Sequence, residues 1–250
     1  MAPALLAVGL AFAGDLVDWR GLVALLAVAA ACIAAHRAPG KSARLVAHAA
    51  VVALCAGFFL HVVPGFNNPR VIDAVLIGEG TSSYSKYLNF DKGMAGVLLL
   101  GLYVPEHVRN DKAAQRFTAF AWRFAIMVGA LATVAMASGY ARWDPKLPDW
   151  WALWVWSMLV LTALPEEAAF RGVIQEQISG YVPGSQWIAI VAAGVLFGLA
   201  HAAGGSLYVL VASLAGVGYG WIYASTRSIA WAIMAHAGLN AIHFFVFTYP

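Results

Sequence analysis

Residues 228–247 read SIAWAIMAHAGLNAIHFFVF, twenty consecutive positions without an Asp, Glu, Lys or Arg. A helix of about 20 residues is about 30 Å long, the thickness of a bilayer's hydrocarbon core. The segment therefore reads as a membrane crossing, yet it carries His236, Asn240 and His243. Ionisable groups in such a medium are costly, and their default meaning is function. Further apolar runs fall at 4–14, 20–35, 45–63, 93–106, 117–138, 150–178, 186–203 and 207–224. The first is short for a crossing and is read as a short span or a half-inserted arm. The expectation is an all-α protein, a polytopic transmembrane helical bundle of about eight or nine spans.

Composition agrees. Across 250 residues, 62% are hydrophobic and 11% charged, with mean hydropathy +0.76. Soluble domains carry about 45–50% apolar and about 25% charged residues, so a soluble single-core domain is excluded. The net charge of +3 includes no basic cluster of the kind that binds nucleic acid. Cys32 and Cys55 lie in apolar runs outside any CxxC pair, and packing suffices for them. Lys and Arg counts in short loops give the orientation. Arg37, Lys41 and Arg44 mark one inner loop, and Arg109, Lys112 and Arg116 another. Alternation then puts the 65–91 and 140–149 loops outside. Trp143, Trp150, Trp151 and Trp154 crowd one span end, as an interfacial belt would.

Most of the spans hold no ionisable group; the exceptions gather after residue 150. They are Glu166, Glu167 and Arg171, then Phe197 with His201, then His236 with Asn240. Each patch is predicted to lie on a helix. Glu167 and Arg171 are four apart and can neutralise each other one turn on. Glu166 points about 100° away and has no partner at helical spacing. An unpaired carboxylate in an apolar setting is expected to hold its proton more tightly, as a general base working near neutral pH requires. Pro165 removes an internal hydrogen bond just before the pair and is expected to kink the span. Glu166 and His201 lie about 15 and 18 residues either side of the turn at 180–184, so antiparallel neighbours bring them to similar depth. A lone histidine in a span usually packs through a hydrogen bond. Two histidines and a carboxylate at matched depth argue for chemistry, whereas His243 carries no such argument. The amide of Asn240 can donate to a developing oxyanion or tie helices together.

These patches read Glu166-Glu167-x-x-x-Arg171, Phe197-x-x-x-His201 and His236-x-x-x-Asn240, in order and on separate spans. In this the sequence resembles the CPBP intramembrane proteases, the CAAX protease and bacteriocin-processing (Abi) family. The resemblance runs from about residue 150 to 247. It implies a catalytic cavity formed by C-terminal helices (150–250), with the 1–149 helices unassigned. In that cavity Glu166 and His201 would activate water, while His236 and Asn240 polarise the scissile carbonyl. Glu167, Arg171 and Phe197 would support them. The family has been described both as a metalloprotease and as a glutamate protease. Glu166, His201 and His236 could supply a zinc site's three ligands, but the two-histidine helix of HExxH is missing, and metal-independent water activation is preferred.

The substrate implied is a membrane-associated protein or peptide, with the lipid bilayer as the other partner. The setting expected is a bacterial inner membrane. A non-catalytic scaffold or immunity-type protein and a proton-coupled transporter remain alternatives, the latter without the inverted repeats or paired broken helices of that class. Reporter fusions within 36–44 should score cytoplasmic and fusions within 65–91 external; the reverse at both sites would overturn the orientation.

Overall fold

The structure is a computed structural model that describes residues 2–78, 83–104, 113–182, 184 and 186–248, with backbone alone for 113–115. Arg109 and Lys112 of the second inner loop, and residue 183 of the 180–184 turn, lie outside the described residues.

The chain opens with α1 (Ala2–Ala13), α2 (Trp19–Arg37) and α3 (Gly40–Phe59). Asp18 starts α2 by accepting the backbone N–H groups of Arg20 and Gly21 at 2.7 and 3.2 Å, which satisfies donors that a helix N-terminus leaves open. Next come β1 (Arg70–Val75), β2 (Tyr84–Tyr87) and α4 (Phe90–Leu102). After α5 (Ala113–Ala137) comes a long helix, α6, running Trp151–Tyr181. The bundle closes with α7 (Gln186–Leu199), α8 (Ser206–Thr226) and α9 (Ile229–Val246). Arg227 ends α8 in the left-handed conformation (φ 49°) and gives its N–H to Tyr223, and Ser228 accepts the Trp231 N–H to begin α9.

Among the described residues six helices are long and apolar enough to cross a membrane: α2, α3, Arg116–Ala137 of α5, α6, α8 and α9. α1 and α7 are apolar but shorter. The chain is an integral, multi-pass membrane protein.

It is not wholly α-helical. β1 and β2 pair antiparallel, with Arg70 opposite Tyr87, Ile72 opposite Lys86 and Val75 opposite Tyr84. This stretch lies between spans and is rich in β-branched and aromatic residues, which suit a pleated surface. Tyr84 stacks on Trp150 at 5.6 Å and meets Phe244 at 5.3 Å. Arg142 and Asp144 pair with the chain's last described residues, Thr248 and Val246. The 65–91 and 140–149 loops thus share one end of the bundle, as alternation required. At the other end His36 and His48 meet Tyr103, Arg116 binds the carbonyls of Thr226 and Arg227, and Arg227 pairs with Glu176 at 2.7 Å. Of the four tryptophans read as a belt, Trp154 is instead core, 2% exposed and stacked on Phe244 at 4.4 Å.

Close helix approaches rest on glycine, as is common where lipid supplies no driving force and backbones must meet. A Cβ at Gly96 of α4 would lie 2.5 Å from the Pro165 Cα, and one at Gly198 of α7 would lie 2.6 Å from the Val209 carbonyl oxygen. Pro165 itself is absorbed by wide π-helical turns at Leu159–Ala163 and Ala168–Gln175 on either side of it. There the Leu164 N–H bonds Leu159, five residues back. Such turns concentrate at functional sites. Gly96→Ala should overpack the α4–α6 seam and cost about 1–3 kcal/mol, read as a lower melting temperature in detergent. Gly129→Ala, whose added Cβ meets nothing within 4 Å, should leave it unchanged.

Candidate active site

Residues 166–171 sit midway along α6, where the wide turns place consecutive side chains on different faces. Glu167 and Arg171 are both wholly buried, and Arg171 Nε donates to Glu167 Oε2 at 2.8 Å, the pair expected from their spacing. Among the described residues Arg171 Nη1 and Nη2 have no hydrogen-bond partner. The guanidinium instead lies 5.4 Å from the Phe197 ring and 5.7 Å from the Tyr219 ring, where ring quadrupoles attract a cation.

The other oxygen of Glu167 reaches a second helix. His236 Nδ1 lies 2.9 Å from Glu167 Oε1. An ionised carboxylate only accepts, so Nδ1 carries the proton and Nε2 is turned the other way. His236 is 2% exposed, stacked on Tyr219 at 4.8 Å and met edge-on by Phe197. Glu167 therefore does more than cancel Arg171: it fixes the tautomer and orientation of His236. With that tautomer a neutral ring offers Nε2 as an acceptor, so polarising a carbonyl would require the ring to gain a proton first.

Glu166 is not the lone carboxylate expected. Lys92 Nζ at the start of α4 lies 2.5 Å from Glu166 Oε1, with side chains 13% and 7% exposed respectively. The sequence argument looked only for partners at helical spacing, and this one is supplied by another helix. The premise of a proton held tightly by an unpaired acid fails with it. Glu166 Oε2 remains, buried and, among the described residues, without a hydrogen-bond partner, 3.8 Å from His236 Nε2. A second lysine, Lys86 on β2, is drawn down to about 8, first by burial and then by the charge of Lys92, with Glu166 opposing.

His201 is not on a helix. α7 ends at Leu199, and His201 occupies the turn before a short 3-10 stretch, Ala202–Gly204. Its Nδ1 lies 2.8 Å from the Phe197 carbonyl oxygen. A carbonyl only accepts, so Nδ1 is the protonated nitrogen and Nε2 the acceptor. Phe197 lies 4.7 Å from the His201 ring and 5.5 Å from the His236 ring, a spacer between the two. Asn240 Nδ2 points to Met158 Sδ at 3.3 Å, a weak acceptor that leaves the amide easily redirected.

Glu166, His201, His236 and Asn240 all line one cavity of about 540 Å³. C-terminal helices form most of its wall, but α5 contributes Leu131 and Ala135, and β2 contributes Tyr84. His243, for which the sequence offered no role, lines it as well. The arrangement provides an acceptor oxygen, two oriented imidazoles and an amide donor around a space that can hold a short peptide segment.

Residues 148–242 match the family model of type II CAAX prenyl endopeptidases, Rce1-like. The match bears out the resemblance and spans all three motif patches. No curated protein and no solved structure gives a significant match. Lys92 lies outside the matched segment, and Tyr219 lies inside it but in none of the three motifs. Sequence reasoning missed both, because no spacing rule links Lys92 to α6 and the flat stacking of Tyr219 leaves no pattern.

Zinc was tested against the same geometry. Among the described residues no three His, Cys, Asp or Glu side chains converge as a ligand set. As arranged, these residues do not converge on a metal.

Glu167→Ala would leave Arg171 charged and buried with aromatic rings alone, a loss of about 3–5 kcal/mol for a broken buried pair. The expected result is poor accumulation or a markedly lower melting temperature in detergent, and wild-type stability would contradict the pairing's importance.

Proposed function

We propose that this protein is an intramembrane endopeptidase that hydrolyses peptide bonds of a membrane-associated protein or peptide, in the inner membrane of a bacterium. The observation that carries the reading is the Glu166 Oε2 atom. It is buried and unbonded, and it faces His236 Nε2 across 3.8 Å on the wall of a cavity shared with His201 and Asn240. A water held by Oε2 and Nε2 would satisfy both acceptors. The name of the matched family, type II CAAX prenyl endopeptidase, points to a prenylated substrate, and an aromatic and aliphatic lining that includes Trp154, Tyr208 and Phe244 suits a substrate with an apolar attachment.

In this reading the water oxygen attacks the carbonyl carbon while Glu166 Oε2 takes one of its protons. As the water turns to attack, its other proton passes its hydrogen bond from His236 Nε2 to His201 Nε2, which orients the attack and frees His236 Nε2. The carbonyl oxygen becomes an oxyanion that Asn240 Nδ2 stabilises by donation. When the C–N bond breaks, the proton passes from Glu166 through His236 Nε2 to the leaving nitrogen, giving an acid and an amine. Glu167 keeps His236 in the tautomer that such a relay needs.

The test uses purified protein in proteoliposomes with a mixture of quenched fluorescent peptides, some carrying a farnesylated cysteine. Glu166→Gln should lower turnover by at least about 10²-fold, the lower end for general-base catalysis, in protein that still folds but melts at a lower temperature, because Lys92 loses its partner. Asn240→Ala should cost about 10²–10³-fold if its amide meets the oxyanion. Activity should survive gentle chelation. Wild-type cleavage by Glu166→Gln would reject Glu166 as the base; no cleavage of any of these peptides by the wild type would reject the enzyme reading in favour of a scaffold; strict dependence on re-added zinc would reject the metal-independent route.

A further inference from the structure

The half of the chain outside the matched segment places one charge inside the candidate site. α4 is seated against α6 along a glycine edge. A Cβ at Gly93 would lie 2.6 Å from Leu161 Cδ2, and one at Gly96 2.5 Å from the Pro165 Cα. Both positions share one face at i and i+3. This seam brings the first turn of α4 level with Glu166, and Lys92 stands at that turn.

The neighbouring acid does not compete for the ammonium. Asp91, 1% exposed, receives the Lys92 backbone N–H on Oδ1 and faces His61 Nδ1 at 2.7 Å with Oδ2. The Lys92 side chain passes 5.4 Å from the Phe59 ring on α3 and ends at Glu166 Oε1. The ammonium is thus steered from both sides onto one oxygen of one carboxylate.

Two effects oppose each other at Glu166. Burial in an apolar medium disfavours the charged carboxylate, and an adjacent cation favours it. A proton acceptor at this depth needs the second effect, since a protonated carboxyl group is far too weak a base to take a proton from water. Contact through Oε1 leaves Oε2, among the described residues, without a hydrogen-bond partner and 3.8 Å from His236 Nε2. We propose that Lys92 is a positioning residue for Glu166, holding it ionised and aiming Oε2 at the cavity. This rests on the reading of Glu166 as the proton acceptor. Other charged or titratable groups around Glu166 are Lys86 on β2, Tyr219 on α8, His201 after α7, His236 on α9 and Glu167 on its own helix. Among the described residues Lys92 is the one in hydrogen-bond contact.

Infrared difference spectroscopy reads the charge of Glu166 without a substrate. In proteoliposomes at neutral pH, the difference between wild type and Glu166→Gln should contain a carboxylate band. In Lys92→Met that band should give way to the carbonyl band of a protonated acid, and in Lys92→Arg it should persist. On the farnesylated and plain quenched peptides, Lys92→Met should lower kcat by about 10²-fold, as losing a general base does, and Lys92→Arg should recover most of it. Lys92→Gln takes the place of Lys92→Met if the latter does not accumulate. A carboxylate band that survives Lys92→Met overturns the proposal, and so does a band that changes while cleavage does not. Glu166→Gln cleaving at the wild-type rate with the band shift intact instead overturns the reading of Glu166 as base and leaves the ion pair standing.

Discussion

A charge carried into the apolar interior of a bilayer must meet its opposite, and the centre of this protein is organised around that requirement. Two cations, Lys92 and Arg171, meet two carboxylates, Glu166 and Glu167. The four groups come from α4 and α6, and His236 joins them from α9 through Glu167. Three helices distant in sequence are therefore registered against one another by contacts that tolerate little slippage. An isolated buried ion costs several kcal/mol even after relaxation, so each pair constrains the helices that bear it.

Adjacent glutamates take different parts because α6 turns between them. Glu167 faces inward, is closed off from solvent, and spends both oxygens on Arg171 and His236. Glu166 faces the cavity and spends one oxygen on Lys92. The first is engaged throughout and the second retains an open acceptor, which is the division the proposed reaction needs. Phe197 and Tyr219 extend the same logic. They press on His236 and at the same time lie within cation–π range of Arg171, so aromatic surface both orients the imidazole and shelters the guanidinium.

What the sequence could disclose was set by range. Glu167 and Arg171 were legible as a pair because helical spacing fixes their contact. The three motif patches were legible as one site because their depths match. Lys92 was not, since the contact depends on how α4 docks, and that is decided by Gly93 and Gly96 against Leu161 and Pro165. The bond from Glu167 to His236 was hidden for the same reason. His201 was placed on a helix that ends two residues earlier, because an apolar run continues past the point where the backbone turns. The β-hairpin was missed because its alternation is short and irregular, with register shifts between its paired positions. Trp154 was read by composition as an interface anchor, whereas its burial against Phe244 depends on tertiary packing.

The central claim is that Lys92 and Glu166, from the two halves of the chain, stabilise each other inside the membrane. A double-mutant cycle on thermal stability in proteoliposomes, using Lys92→Met, Glu166→Gln and the combination, measures this directly. The account predicts that the double variant is more stable than the sum of the single losses implies, with a coupling of about 1–3 kcal/mol for residues in one buried pair. Additive losses would show that the two charges do not depend on each other and would contradict it.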